Sequence, residues 1–170
     1  HPTTREVWMT VQERDGLGDD LVHDYAAKAV PGRFYGWPWA YLGAHEDPRH
    51  AGARPDLVKK TQVPELLFEP HASAMTMVFY GGKAFPAHYR TGAFAALRGS
   101  SGRAPRTGYK IVYLPFVKGQ STGAYEDFVT GWMLDENKPE VWGRPVGLTE
   151  TTDGSLLVVE DGNGTIWKIT

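Results

Sequence analysis

No cysteine occurs among the 170 residues, which removes disulfide scaffolds, cysteine-ligated zinc or iron–sulfur sites and a cysteine nucleophile. The same absence leaves the compartment open, because cysteine-free chains occupy reducing and oxidising spaces alike. An excess of one charge is also missing. Eighteen Lys+Arg stand against 20 Asp+Glu, a net charge of −2, without the basic surplus that a nucleic-acid surface requires. No apolar run approaches the roughly 20 residues of a membrane span, and no signal-peptide pattern opens the sequence. There is no initial Met, so His1-Pro2 reads as a processed, tagged or excised start.

What the sequence does contain is 20 Gly, 12 Pro and six Trp, with 12% aromatic and 41% hydrophobic residues overall. Gly and Pro punctuate it every few residues, and helix-period apolar stripes are scarce, a pattern that suits many short strands joined by turns. The hydrophobic and aromatic content argues against disorder. The length favours one domain, and the chain reads as a soluble, mostly β protein.

Residues 6–11 form a strand-like run that feeds the Gly- and Asp-rich loop 12–20. Residues 24–29 read as a short helical turn or loop, 34–41 as a structured aromatic loop and 44–64 as a long Pro-rich connection. Strands are then expected at 75–80, 92–97 and 109–116, with a weaker one at 127–133. A final meander covers 145–149, 155–160 and 165–169, its turns marked by Thr152-Asp153-Gly154 and Asp161-Gly162-Asn163-Gly164. Leu156-Leu157-Val158-Val159 is apolar on both faces, as in a strand held between two sheets. The chain thus divides into an irregular unit over about 1–70, a four-stranded unit over 71–133 and an incomplete one over 143–170. Units of this size match single β-propeller blades, although periodicity alone leaves sandwich and propeller level.

Several residues are candidates for chemistry. Asp15, Asp19, Asp20 and Glu13 offer hard oxygen ligands in a loop whose glycines let carbonyls turn toward an ion, with a solvated acidic turn as the alternative. His71 lies between Pro70 and a small-residue stretch, and is either a contacting or a hydrogen-bonded structural histidine. No His-Xaa-His or His-Glu-Xaa-Xaa-His pair exists to build a catalytic zinc site. Gly99-Ser100-Ser101-Gly102 does not fit the nucleophile-elbow pattern. Arg98, Arg103 and Arg106 flank that loop and Lys83 lies on the preceding turn, so these cations are candidates for holding a carboxylate. Arg144, locked before Pro145, either guards a strand edge or points into a central cavity. Tyr35, Trp37, Trp39 and Tyr41 are suited to stacking on a planar ligand or sugar, or to core packing.

Glu13-Arg14-Asp15-Gly16-Leu17-Gly18-Asp19-Asp20, then Gly32-Arg33-Phe34-Tyr35-Gly36-Trp37-Pro38, Gly108-Tyr109-Lys110-Ile111-Val112 and Gly143-Arg144-Pro145-Val146-Gly147-Leu148 follow in this order. Together they resemble the glucose/sorbosone dehydrogenase family, most closely its sorbosone-dehydrogenase-like branch. These soluble quinoproteins oxidise sugars with pyrroloquinoline quinone and Ca²⁺. The resemblance implies an all-β fold, here about half of a six-bladed β-propeller of four-stranded antiparallel blades, and a periplasmic or secreted setting. It places the Ca²⁺-binding backbone carbonyls at about Asp15 and Gly16, and the quinone-binding cations at Arg103 first, then Arg98, Lys83 and Arg144. It also implies that the chain matches the C-terminal portion of the family and lacks the segment with its catalytic His. Where family members carry Trp and Asn, this chain has Ser101 and Gly102.

Two readings follow. In the first, the chain is half of a sugar or aldose dehydrogenase, completed by a second copy of itself or by another propeller half, since a half-ring exposes sheet edges and apolar faces. In the second it is a non-catalytic binding module of the same descent. A Ca²⁺-dependent lactonase ranks last, because no ring of inward Asn, Asp and Glu is evident.

Overall fold

A computed structural model describes residues 1–170. Thirteen strands account for nearly all the regular structure: β1 (Trp8–Val11), β2 (His23–Lys28), β3 (Ala40–Tyr41), β4 (His45–Glu46), β5 (Leu66–Pro70), β6 (Ala74–Phe79), β7 (Gly92–Leu97), β8 (Lys110–Val117), β9 (Gln120–Ser121), β10 (Glu126–Val129), β11 (Pro145–Glu150), β12 (Leu156–Glu160) and β13 (Ile166–Ile169). One four-residue helix, α1 (Pro55–Val58), and two 3₁₀ turns complete the inventory. No helix is long and apolar enough to cross a membrane.

The strands form three antiparallel sheets in series: β1-β2-β5, then β6-β7-β8-β10, then β11-β12-β13, with β9 hairpinned to β8 and β3 paired to β4. The first strands of the sheets lie together, β6 touching both β1 and β11, and each sheet proceeds outward from there. The middle sheet is covered on both faces. Ala93, Ala95 and Leu97 of β7 face Ala26, Leu66 and Phe68 of the first sheet. Phe94 and Ala96 face Leu148, Leu156 and Val158 of the third. All six β7 residues are buried, which is why this segment reads as a continuous apolar run without alternation. A register shift between Ala74 and Met77 in the β6–β7 ladder puts both residues on the first-sheet side while Met75 turns to the other, as a bulge does.

Of residues 24–29, expected as a short helical turn or loop, 24–28 instead belong to β2, paired with β1 and β5 on its two sides. Ala26 and Ala27 have helical propensity, but burial between two strands decides the outcome. The sequence reading also passed over β5, whose Leu66-Leu67-Phe68 run is hidden in a Pro-rich stretch. Within the expected connection 44–64 lie β4, α1 and one 3₁₀ turn. The expected strand at 127–133 is Glu126–Val129, after which Met133 makes an isolated bridge to Val141. Leu156 and Val158 are buried as expected, but Val159 is 42% exposed, so β12 has neighbours on one face only.

Candidate functional site

The site begins with a buried carboxylate. Asp24 occupies β2 at a register shift between His23 and Tyr25 and is only 2% exposed. Its Oδ1 accepts the Glu13 N–H at 2.8 Å and its Oδ2 the Ala74 N–H at 3.1 Å. One side chain therefore ties the end of β1 and the start of β6 together. Burial raises the Asp24 pKa, against the opposing pull of the Glu13, Ala74 and Ser73 N–H donors. Glu13 is likewise raised by burial, with the charges of Asp24 and Asp47 adding to the effect and the Arg14 N–H opposing it.

From this base the 12–20 loop crosses to the end of β5. There His71 and Ser73 adopt φ of 62° and 58°, a left-handed conformation that costs non-Gly residues energy and recurs at functional sites. His71 is turned inward, its side chain 6% exposed. Nδ1 lies 2.8 Å from Asp15 Oδ1 and Nε2 lies 2.9 Å from the Gly18 carbonyl. Burial lowers its pKa, but these two acceptors outweigh it and the net shift is upward. The carbonyls of Asp15 and Gly16 accept no hydrogen bond from the protein.

The opposite wall is the loop after β7. Gly99 has φ of 102°, and a Cβ there would lie 2.4 Å from the Tyr109 ring; only glycine permits that close approach. The Tyr109 hydroxyl donates to the Ser100 carbonyl, and Ser100 Oγ accepts the Thr107 N–H at 2.9 Å, which closes the loop on itself. Arg98 reaches across to the third sheet, with Nε 2.8 Å from Asp161 Oδ2, while Arg144 Nε lies 2.9 Å from Oδ1 of the same carboxylate. The terminal nitrogens of both guanidinium groups make no hydrogen bond to protein.

Between these walls lies a cleft of about 190 Å³ without a hydrophobic side chain in its lining; Asp15, Asp24, His71, Arg98, Ser101 and Gly102 are among its residues. The structure thus brings together Asp15, Arg98 and His71 from the sequence reading, with Arg144 joined to them through Asp161. Gly16 lies in the same loop as Asp15. Arg103 does not line the cleft. Its Nε donates to the Pro105 carbonyl at 3.1 Å and Nη1 to Pro70 at 3.3 Å, and Nη2 lies 3.9 Å from Asp20. It fastens the 98–107 loop to the end of β5. Lys83 lies at the opposite end of β6, where a Cβ on Gly154 would be 3.1 Å from its amide. Arg106 bonds to Tyr109 and to the Pro139 carbonyl, outside the cleft.

The aromatic cluster is divided. Tyr35 packs on Tyr25, whereas exposed Trp37 stacks with Arg49. Trp39 and Tyr41 meet His50 and His45. Sequence reasoning missed Gln12, Asp24 and Ser73 in the cleft, together with Asp161, which bridges two arginines. Asp24 lies in the segment read as a short helical turn or loop, and Asp161 in one read as a hairpin turn. No group of three or more His, Asp or Glu is arranged to hold a metal by side chains alone.

Comparison with known proteins gives this architecture relatives. The calcium structure of a Trichoderma reesei carbohydrate-active enzyme of family AA12 superposes with a TM-score of 0.77 at 24% identity, covering 99% of this chain and 49% of that one. A pyrroloquinoline quinone-dependent pyranose dehydrogenase of Coprinopsis cinerea is 32% identical over 124 residues, which is 62% of this chain and 16% of the relative. An uncharacterized protein of Borreliella burgdorferi is 27% identical over 173 residues, 99% of this chain and 44% of that protein. The chain therefore spans about half the length of the AA12 structure and somewhat less of the Borreliella protein. The sequence resemblance to quinone-dependent sugar dehydrogenases agrees with these relatives. The TrAA12-like family matches residues 55–170, and the chain belongs to that family.

Proposed function

We propose that this chain is the C-terminal half of a quinoprotein sugar or aldose dehydrogenase, its three sheets being three blades of a six-bladed propeller. The reading rests on one observation, the meeting of the Asp15–Gly18 loop and Arg98 across a wholly polar cleft. Pyrroloquinoline quinone is a planar tricarboxylate, and its recognition calls for guanidinium groups and a hard cation. The donor set fits both. The unbonded carbonyls of Asp15 and Gly16 are hard oxygens suited to Ca²⁺, and the free terminal nitrogens of Arg98 and Arg144 are suited to carboxylates. Gly102 leaves room where a Cβ would meet nothing within 4 Å.

When bound, the quinone would supply the two-electron acceptor for sugar oxidation, and Ca²⁺ would polarise it. The residues of this chain would hold and orient that pair. Arg98, in the cleft wall, is anchored by Asp161, which also holds Arg144, while Arg103 and Lys83 lie outside the cleft. The base for the sugar hydroxyl is assigned to the complementing half, because both nitrogens of His71 are engaged. The relatives' sugar chemistry suggests a periplasmic or secreted setting. Completion of the ring would come from a second copy or from another half.

The test is titration of the chain with Ca²⁺ and pyrroloquinoline quinone by calorimetry, followed by dye reduction with aldoses. We expect tight, Ca²⁺-dependent quinone binding without turnover. Absence of binding would overturn the cofactor assignment and leave the reading of a non-catalytic binding module.

A further inference from the structure

The 15–21 loop is held to the protein by very little. No backbone N–H between Asp15 and Leu21 donates to another group of the protein, and none of its carbonyls accepts a backbone bond. Asp19 and Asp20 are exposed, and the ion contact of Asp20 with Arg103 is a long 3.9 Å. The short bonds that cross from this loop to the fold are those to His71, at 2.8 Å from Asp15 and 2.9 Å from Gly18. They bracket Gly16 and Leu17 on both sides. His71 itself has little freedom: it is inward-turned, 6% exposed, and fixed by the left-handed backbone at the end of β5. Nδ1 faces a carboxylate oxygen and Nε2 a carbonyl oxygen, so the ring spans two acceptors on either side of Gly16 and Leu17.

We propose that His71 is a positioning residue, a two-armed hydrogen-bonding clamp that fixes the Asp15–Gly18 loop, and with it the Asp15 and Gly16 carbonyls, beside the cleft. This deepens the proposed cofactor reading and assigns His71 neither a proton-transfer nor a ligand role. Preorganisation of this kind lowers the ordering cost of ion binding. The loop has no competing hydrogen-bond network, so removing His71 leaves the donor carbonyls without a defined direction.

The experiment uses the full chain and the variants His71→Ala, His71→Gln and Asp15→Ala. Asp15 has an 86% exposed side chain, so its variant keeps the fold while removing one arm. Backbone ¹⁵N relaxation is measured without metal, and Ca²⁺ affinity by calorimetry. In the wild type, residues 15–20 should show order parameters near about 0.85, falling below about 0.6 in His71→Ala. Values for β7 and β8 should not change. His71→Gln, which retains one donor, and Asp15→Ala should fall between. Ca²⁺ affinity should weaken at least tenfold in His71→Ala and recover in part in His71→Gln. Unchanged order parameters in His71→Ala and Asp15→Ala would overturn the proposal. If the wild type binds no Ca²⁺, the cofactor reading fails, and the relaxation data alone decide the role of His71.

Discussion

Glu160 shows how much one side chain can hold in place. It is 1% exposed at the end of β12. Its carboxylate accepts the N–H groups of Arg144 at 3.2 Å, Gly162 at 2.8 Å, Asn163 at 2.9 Å and Thr165 at 3.0 Å. The turn it shapes presents Asp161 to Arg98 and Arg144. Burial pushes the Glu160 pKa up, but the four N–H donors outweigh it and the folded value lies below the ordinary 4.5. A lowered folded pKa means that the contribution is present above about pH 4.5 and is lost as pH falls through the folded value. Glu160→Gln should destabilise the protein by about 2 kcal/mol at pH 7, since charge-assisted bonds to buried donors are replaced by weaker ones. Urea titrations at pH 7 and pH 3.5 should show the gap between variant and wild type narrowing in acid. An equal gap at both would remove the ionised carboxylate from the explanation. Gly99→Ala is expected to cost about 2 kcal/mol or more, because its Cβ would enter the Tyr109 ring at a φ of 102°; the same titration measures it. At this scale the sequence was partly legible. The Gly-Ser loop stood out by composition, but a lone Glu closing an apolar strand gives no sign that four backbone donors will converge on it.

At the scale of elements, legibility followed burial. β7 is Gly-Ala-Phe-Ala-Ala-Leu, apolar throughout and buried throughout, so its expected limits at 92–97 coincide with the strand. β2 is His-Asp-Tyr-Ala-Ala-Lys, with a buried Asp and Lys and two adjacent alanines, and neither strand alternation nor β-branching marks it. What makes it a strand is its pairing with β1 and β5, and the buried charges are satisfied by long-range partners. Lys28 Nζ, for example, lies 2.8 Å from both Glu6 Oε1 and Gln120 Oε1. The small residues of β7 let the first and second sheets approach closely, and Phe94 fills the space on the other side with Tyr80, Phe85, Tyr113 and Phe128 around it. Phe94→Ala should therefore cost about 3–5 kcal/mol, and Ala95→Leu about 1–3 kcal/mol by overpacking the opposite face. Thermal denaturation of the two variants compares the faces directly. A Phe94→Ala loss below that of Ala95→Leu would contradict the packing described for the second and third sheets.

At the scale of the whole molecule, the middle sheet lies between two other sheets, and each outer sheet has another sheet on one face only. On the free side of the third sheet, Val159 is 42% exposed and its cross-strand partner Ile166 is 64% exposed. On the first sheet, the cluster away from the middle sheet has only three buried members, Tyr25, Ala27 and Tyr35, and Val7 is 65% exposed. Aliphatic surface of this kind at both ends of a series of sheets favours association, and the chain spans 49% of a solved relative whose fold it shares. The expected behaviour of the chain alone is self-association at micromolar concentration, seen in sedimentation velocity as a species heavier than one chain. Replacing Val159 by Lys together with Ile166 by Glu puts opposite charges directly across β12 and β13. That cross-strand pairing is favourable within the sheet, while the face it covers is no longer apolar. The double variant should sediment as a single chain with an unchanged circular dichroism spectrum. A wild type that remains monomeric at these concentrations would show that the exposed Val159–Ile166 face is tolerated by water as it stands, and the case for a complementing half would then rest on the polar cleft alone.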